Sequence, residues 1–263
     1  MIDLKTFNEY PDIAKPRRLR KYVLIWCSQG AINVVVDEKD LKLKAQDVLT
    51  ITSGQVHYIK KPGKAKGIIL EFTYDFFCKN DNDLELIFQN GLFCHFDLNE
   101  VIAMAADKTI GPQLRSISQE LQTKPYQYLI TIHSRIELIL VAINRAKLNK
   151  GDEIWKPGAL FLKFLELVRA NFEHNYPVSQ FAKMLFTTAT KLNEQSKLHT
   201  GRTAQNVIYG LTASEAKRLL IYQNLSVKEV AYQLGFSDPF YFSNFFKKHT
   251  SVSPKSYQAK YAL

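Results

Sequence analysis

The chain is poor in the residues that build disulfide frameworks, metal centres and membrane spans. Three cysteines, Cys27, Cys78 and Cys94, are an odd number without CxxC or other metal-type spacing, which argues for free thiols in a reducing cytosol. The six histidines include no His-x-His pair, and no second histidine follows His57 before His95. A metal-dependent barrel enzyme needs several His and carboxylate ligands on one ion, so no metal or other cofactor is expected. No apolar run approaches the roughly 20 residues of a membrane span. Met1–Tyr10 lacks the basic stretch and apolar core of a secretory signal. The expected location is the cytoplasm, with no membrane partner.

What is present is a globular composition with an uneven charge. Hydrophobic residues make up 46% and charged residues 23% of 263 residues, enough chain for one large domain or two ordinary ones. Residues 155–263 hold 14 Lys/Arg against 6 Asp/Glu, whereas the first 154 hold 21 against 19. A basic half joined to a near-neutral half suggests a polyanion-binding module tethered to something else. A merely solvated basic surface would give the same counts, so the weight falls on the motifs that coincide with it.

From Arg20 to Phe77, β-prone runs alternate with turn residues: Tyr22–Cys27, Ile32–Val36, Leu41–Leu43, Val48–Thr52, Val56–Ile59 and Gly67–Phe72. Many short strands with regular turns predict a sandwich or a small barrel, and a barrel can be filled by side chains or hold one small ligand. Tyr22, Trp26, Tyr58 and Phe72, with His57, are the candidates for lining such an effector pocket. Plain core is the alternative for the aromatics, and a hydrogen-bonded rim position the alternative for His57.

The periodicity changes after Pro112. A short amphipathic helix is expected over Pro112–Leu121, stopped before Pro125. Tyr126–Leu148 then carries Leu129, Ile132, Ile136, Ile139 and Ile143 at spacings of three and four, a heptad seam. Ile130, Leu138 and Val141 occupy another part of that helix, which must therefore be covered on more than one side. One face is expected on the strand domain and the seam on a second subunit; packing wholly within its own chain is the alternative. Asn149–Glu153 reads as a linker, flanked by Pro157-Gly158.

The last hundred residues contain one pattern twice. Pro177–Thr188 leads into Ala189–Lys197, and Ser226–Pro239 leads into Phe240–Lys248; Ala182 and Ala231 lie 49 residues apart, Leu192 and Phe242 lie 50 apart. Helix signals mark the copies. Ser226-Val-Lys-Glu229 fits a capping box, Asp238-Pro239 and Ser253-Pro254 offer an N-cap followed by a first-turn proline, and Gly201 suits a left-handed helix exit. The apolar run Ala204–Tyr222 can be a rigid strut between two units whose reading helices must sit about one DNA turn, roughly 34 Å, apart.

Val227–Phe236, Tyr241–Lys248 and Val252–Tyr257 closely resemble the signature of the AraC/XylS family of bacterial transcription regulators, and the first copy matches at Ala182, Leu185, Leu192 and Gly201. The strong match covers about residues 160 to 258. The N-terminal half is similar in outline to that family's cupin-like regulatory domain, through Ala45–His57. This implies an α+β chain: a cupin-like β-barrel over 1–110, a helical dimerisation segment over 111–150, and an all-α DNA-binding domain with two helix-turn-helix units over 151–263. It implies double-stranded DNA and RNA polymerase as partners, a homodimer, and control by a small-molecule effector, with activation the more usual outcome. The outward positions of the second helices would then face DNA: Thr190, Lys191, Asn193, Glu194 and Lys197 in the first unit, Asp238, Phe240, Tyr241, Ser243, Asn244 and Lys247 in the second. Asn suits adenine, Glu cytosine, and Lys guanine or phosphate. Lys248 and the helix N-terminal N–H groups would hold phosphates. Phe240 could touch a thymine methyl or be core. Leu192, Phe242, Phe245 and Phe246 are assigned to packing. The chain departs from the family pattern at Phe186, in place of a turn glycine; Ser196, in place of an aromatic; Ser251, in place of glycine; and Gln258, in place of arginine. Phe186 puts in question how the first helix enters a groove.

Three other readings compete. A cupin-type enzyme with an accessory helical domain lacks its metal constellation. Alkyl-transfer DNA repair lacks a recognisable nucleophilic cysteine. A nucleoid-type binder would bind all sequences alike with steep salt dependence.

Overall fold

Every residue from Tyr22 to Cys27 is buried, so this strand has to be covered on both faces. The computed structural model, which describes residues 1–60, 63–93, 99–104, 108–149, 157–223 and 225–261, shows how. Strands β1 (Ile2–Thr6), β2 (Arg17–Arg18), β3 (Tyr22–Gln29), β4 (Ala31–Val36), β5 (Lys39–Lys44), β6 (Asp47–Ile51), β7 (Val56–Ile59), β8 (Lys66–Phe72) and β9 (Val101–Ala103) make two antiparallel sheets. Their orders are β1-β8-β3-β6-β9 and β2-β7-β4-β5. Ile25 pairs with Leu49 on one side and Ile69 on the other. Alternation along β3 sends Val23, Ile25 and Cys27 into the space between the sheets, where they meet Ile32, Val34, Val36, Leu43 and Ile59.

The opposite face of β3 carries Tyr22, Leu24 and Trp26, and helices cover it. They are α1 (Tyr74–Phe77), α2 (Asp81–Phe88), α3 (Ile110–Thr123) and α4 (Tyr128–Asn149). Tyr22 packs on Phe72, Phe88 and Phe93 at ring separations of 5.2–5.8 Å. Gly111 lets α3 approach Trp26, whose Cη2 would lie 2.9 Å from a Cβ at that position. Among the described residues neither sheet closes on itself, β1 and β9 being the edges of one and β2 and β5 of the other. The cupin-like barrel implied by the family resemblance is therefore corrected to two open sheets backed by helices; the strand pattern itself had allowed a sandwich or a barrel. A strand face buried by helices and one buried by barrel closure look alike in sequence.

The helical segment begins and ends within two or three residues of expectation. Lys124 leaves α3 in a left-handed conformation, φ 47°, ahead of Pro125. The expected pairing seam lies inside the subunit: Ile132, Ile136, Ile139 and Ile143 are all 0% exposed, and Leu129 is partly buried. These side chains fill the core of their own unit and are not free for a partner, which corrects the seam as a pairing surface. The side of α4 left in solvent carries Ile130 and Leu138, 63% and 50% exposed. The chain divides into two units, Met1–Cys94 with Leu98–Lys156, and Pro157–Leu263, so α3 and α4 belong with the sheets. The expected linker, beyond Asn149, and the turn residues Lys61 and Pro62 lie outside the described residues. Cys27 and Cys78 are free thiols, and burial pushes the Cys27 thiol up.

The second unit is helical: α5 (Ala159–Arg169), α6 (Val178–Met184), α7 (Ala189–Thr200), α8 (Ala204–Tyr222), α9 (Val227–Gln233), α10 (Pro239–Thr250) and α11 (Pro254–Tyr261). α8 is buried nearly all round, from Ala204 to Ile221. With α9, α10 and α11 it closes a core of Ala216, Leu219, Leu220, Val230, Leu234, Phe242, Phe246 and Tyr257.

Candidate nucleic-acid interface

Two short-helix, long-helix pairs repeat within the second unit. α6 and α9 have 7 residues each, and α7 and α10 have 12 each. The turn between them is the same in both copies. The N–H of Leu185 bonds Phe181 O at 3.0 Å, and that of Thr187 bonds Ala182 O at 2.9 Å; the N–H of Leu234 bonds Val230 O at 3.1 Å, and that of Phe236 bonds Ala231 O at 3.0 Å. Phe186 and Gly235 both take positive φ there, so the departure at Phe186 leaves the turn intact. The exits match too, Gly201 and Ser251 being left-handed at φ 68° and 66°.

Local signals explain where these helices start. Ser226 and Glu229 form the reciprocal capping box. Thr188 accepts from the N–H of Lys191 at 3.1 Å, and Asp238 from that of Phe240 at 2.7 Å. Ser253 accepts from Ser256 N–H at 3.1 Å, opening α11. Each cap occupies one first-turn N–H, which is then unavailable to a phosphate.

Leu192, Phe242 and Phe246 are fully buried and hold α7 and α10 in their units. Phe245 is half-buried and packs on Phe236 and Tyr209. The opposite faces are open. Thr190, Lys191, Glu194 and Lys197 are exposed on α7, and Phe240, Tyr241, Asn244, Lys247 and Lys248 on α10. Phe240 is 67% exposed and Tyr241 64%, which removes the core alternative for Phe240. Their rings meet edge to face at 6.4 Å. Lys191 and Glu194 pair across 3.4 Å in solvent, an interaction of well under about 1 kcal/mol that a stronger partner can displace.

Three expected contacts have structural employment. Asn193 is half-buried, and its Oδ1 accepts the N–H of Ala204 at 3.0 Å, capping α8. Half-buried and holding the α8 cap, Asn193 is less open to a base edge than the exposed positions of α7. Ser243 is half-buried, and its hydroxyl donates to Pro239 O at 2.8 Å. Asp238 is exposed but serves as the N-cap of α10. Conversely, a search for polar readers passes over Leu198 and Tyr232, which are 72% and 50% exposed; in sequence both look like core. Ser196, standing where an aromatic is usual, is fully buried, and its Oγ has no partner among the described residues.

The five residues expected to line an effector pocket do not converge. Tyr22, Trp26 and Phe72 lie on the helix-facing side of the five-stranded sheet, with Tyr22 and Phe72 0% exposed in an aromatic cluster. His57 shares the inward face of β7 with Ile59 and is 5% exposed. Burial pushes its pKa down to about 4, and Nδ1 lies 3.3 Å from Gln55 O. Tyr58 points the other way, half-exposed. The space between the sheets at β3, β4 and β7 is packed with aliphatic side chains, so the set is corrected to core and surface positions.

Comparison with known proteins agrees with this geometry. The family described as "Helix-turn-helix domain" matches residues 181–260. An uncharacterized HTH-type transcriptional regulator in the cgkA 5'region of Pseudoalteromonas carrageenovora is 25% identical over 119 residues, 45% of this chain and 70% of the relative. The HTH-type transcriptional activator RhaS of Enterobacter sp. (strain 638) is 29% identical over 117 residues, 44% of this chain and 41% of RhaS, so the match spans about two fifths of that protein. The crystal structure of ToxT from Vibrio cholerae O395 aligns with 99% of this chain and 97% of its own, at 12% identity and a TM-score of 0.45. Residues 181–260 are thus a helix-turn-helix domain, similar to part of these HTH-type transcriptional regulators.

Proposed function

We propose that the chain regulates transcription by reading an asymmetric DNA site through two helix-turn-helix units, α6–α7 and α9–α10. One observation carries this reading. α7 and α10 repeat each other in length, capping and turn geometry, yet their exposed residues differ: Thr190 against Phe240, Lys191 against Tyr241, Glu194 against Asn244. Two like scaffolds with unlike faces read two different sequences in direct repeat. Glu194 suits a cytosine amino group, Asn244 an adenine edge, and Phe240 or Tyr241 a thymine methyl. Lys197 and Lys247, equivalent in the two helices, and Lys248 and Lys191 meet phosphate or guanine.

The first unit supplies control. A small molecule acting there changes DNA binding only by binding one arrangement better than the other. Its site is not the space between the sheets at β3, β4 and β7. RNA polymerase is the partner through which activation proceeds, and a homodimer would use the exposed strip of α4 around Ile130 and Leu138. The setting is the cytoplasm; no helix among the described residues is long and apolar enough to cross a membrane.

The test is selection of genomic fragments by the purified chain, followed by competition titration at fixed salt. One asymmetric motif bound about a thousandfold better than random DNA is the expected result. Equal binding to all fragments would overturn sequence-specific reading and leave an architectural DNA binder.

A further inference from the structure

We propose that Asp83, His133 and Glu137 bind one divalent first-row transition-metal ion of the zinc class. His133 and Glu137 stand one turn apart on α4 and leave the same face of the helix; Asp83 comes from α2. One donor atom of each residue lies within 4.8 Å of the other two. The imidazole is flanked by carboxylates on both sides, Nε2 being 3.4 Å from Oδ2 of Asp83 and Nδ1 3.6 Å from Oε2 of Glu137. Among the described residues, His133 is the one basic side chain paired with either carboxylate.

The orientation of the ring supplies the second observation. Nε2 lies 2.8 Å from the carbonyl oxygen of Phe77, and the ring stacks on that of Phe77 at 4.9 Å. With Nε2 directed at this carbonyl, Nδ1 is the ring nitrogen beside the Glu137 carboxylate and the one open to an ion. A backbone carbonyl accepting the other ring N–H is the outer-shell arrangement that orients metal-binding histidines. Asp83 is 3% exposed and accepts the N–H of Lys79 at 2.8 Å, which fixes the second carboxylate without exhausting its lone pairs. One nitrogen and two carboxylates, with a position left for water, is a zinc-class donor set; calcium and magnesium take oxygen alone. The ion has a route in. A groove of about 550 Å³, lined by Thr73, Phe76, Leu129 and Ile130, opens onto His133.

The experiment uses the full chain, stripped with chelator and titrated with Zn²⁺ by calorimetry and in thermal melts, with Co²⁺ as a visible probe of coordination. The wild type is expected to take one ion per chain and to melt higher as Zn²⁺ rises. Glu137→Gln, at a half-exposed position that should not affect folding, and His133→Ala should bind at least tenfold more weakly and lose the melting shift and the Co²⁺ band. Absence of a stoichiometric ion in the wild type, or unchanged binding by Glu137→Gln, would overturn the site and leave an imidazolium shared between two carboxylates.

Discussion

Phe186 and Gly235 occupy the same position in two equivalent turns, 49 residues apart, with φ of 52° and 73°. Their surroundings differ. A Cβ at position 235 would lie 2.5 Å from the backbone oxygen of Glu173, whereas the Phe186 side chain stands 99% exposed. A non-glycine residue in the left-handed region costs about 1–2 kcal/mol. Phe186→Gly should therefore stabilise the second unit by about 0.5–1 kcal/mol, after the added chain entropy of glycine is subtracted. Gly235→Ala should destabilise it by about 2 kcal/mol or more. Denaturant midpoints of the two variants, moving in opposite directions, check this.

The helix starts that α9 and α7 use can be tested singly. Ser226→Ala removes half of the capping box and should cost about 1 kcal/mol, and Thr188→Ala a similar amount. Hydrogen bonds from Ser226 hold the Glu229 carboxyl below the usual glutamate range. That contribution is present above the ordinary glutamate pKa and is lost as pH falls through the lowered one. Urea titrations of wild type and Ser226→Ala should differ less at acid than at neutral pH, with a residual difference from the Ser226 Oγ–Glu229 N–H bond, which does not titrate.

His57 makes the first unit acid-sensitive. With a folded pKa of about 4 against an ordinary 6.5, the unfolded chain binds the extra proton between those values, so stability falls as pH drops from about 6.5 to 4. The full loss is about 3 kcal/mol. His57→Gln should flatten that part of the pH–stability curve; an unchanged slope would place the titration elsewhere.

Two faces of α4 separate packing from pairing. Ile136→Ala should destabilise the first unit by about 2–5 kcal/mol, because it opens a cavity in a fully buried site. Leu138→Glu and Ile130→Glu lie in solvent and should leave the melting temperature nearly unchanged. If the exposed strip joins two copies, sedimentation will show these variants as monomers where the wild type is a dimer.

On DNA, Asn244→Ala should cost about 1–3 kcal/mol at one base position and relax the preference there. Lys248→Ala should weaken all sequences alike and reduce the salt slope by about one unit. Asn193→Ala should act first on stability, through the lost α8 cap, and binding corrected for the folded fraction should change little.

The sequence by itself determined the features that rest on contacts three or four residues apart. The Ser226–Glu229 box, the Asp238-Pro239 start, the Gly201 exit and the 50-residue repeat are local hydrogen bonds and spacings, so they were legible before any coordinates. The strand segments from Tyr22 to Phe72 were legible for the same reason. Tertiary structure decided which face meets what. Tyr22 and His57 both read as pocket-lining, but pleating sends one under helices and the other between sheets. Ile132 to Ile143 read as a pairing seam, but the sheets and α3 supply the apolar surface a second subunit would have offered. Asn193 read as a base contact, but Ala204, eleven residues on, takes its carbonyl. Hydrophobic period reports that a face is buried and not by what, since burial is non-directional and any apolar neighbour satisfies it.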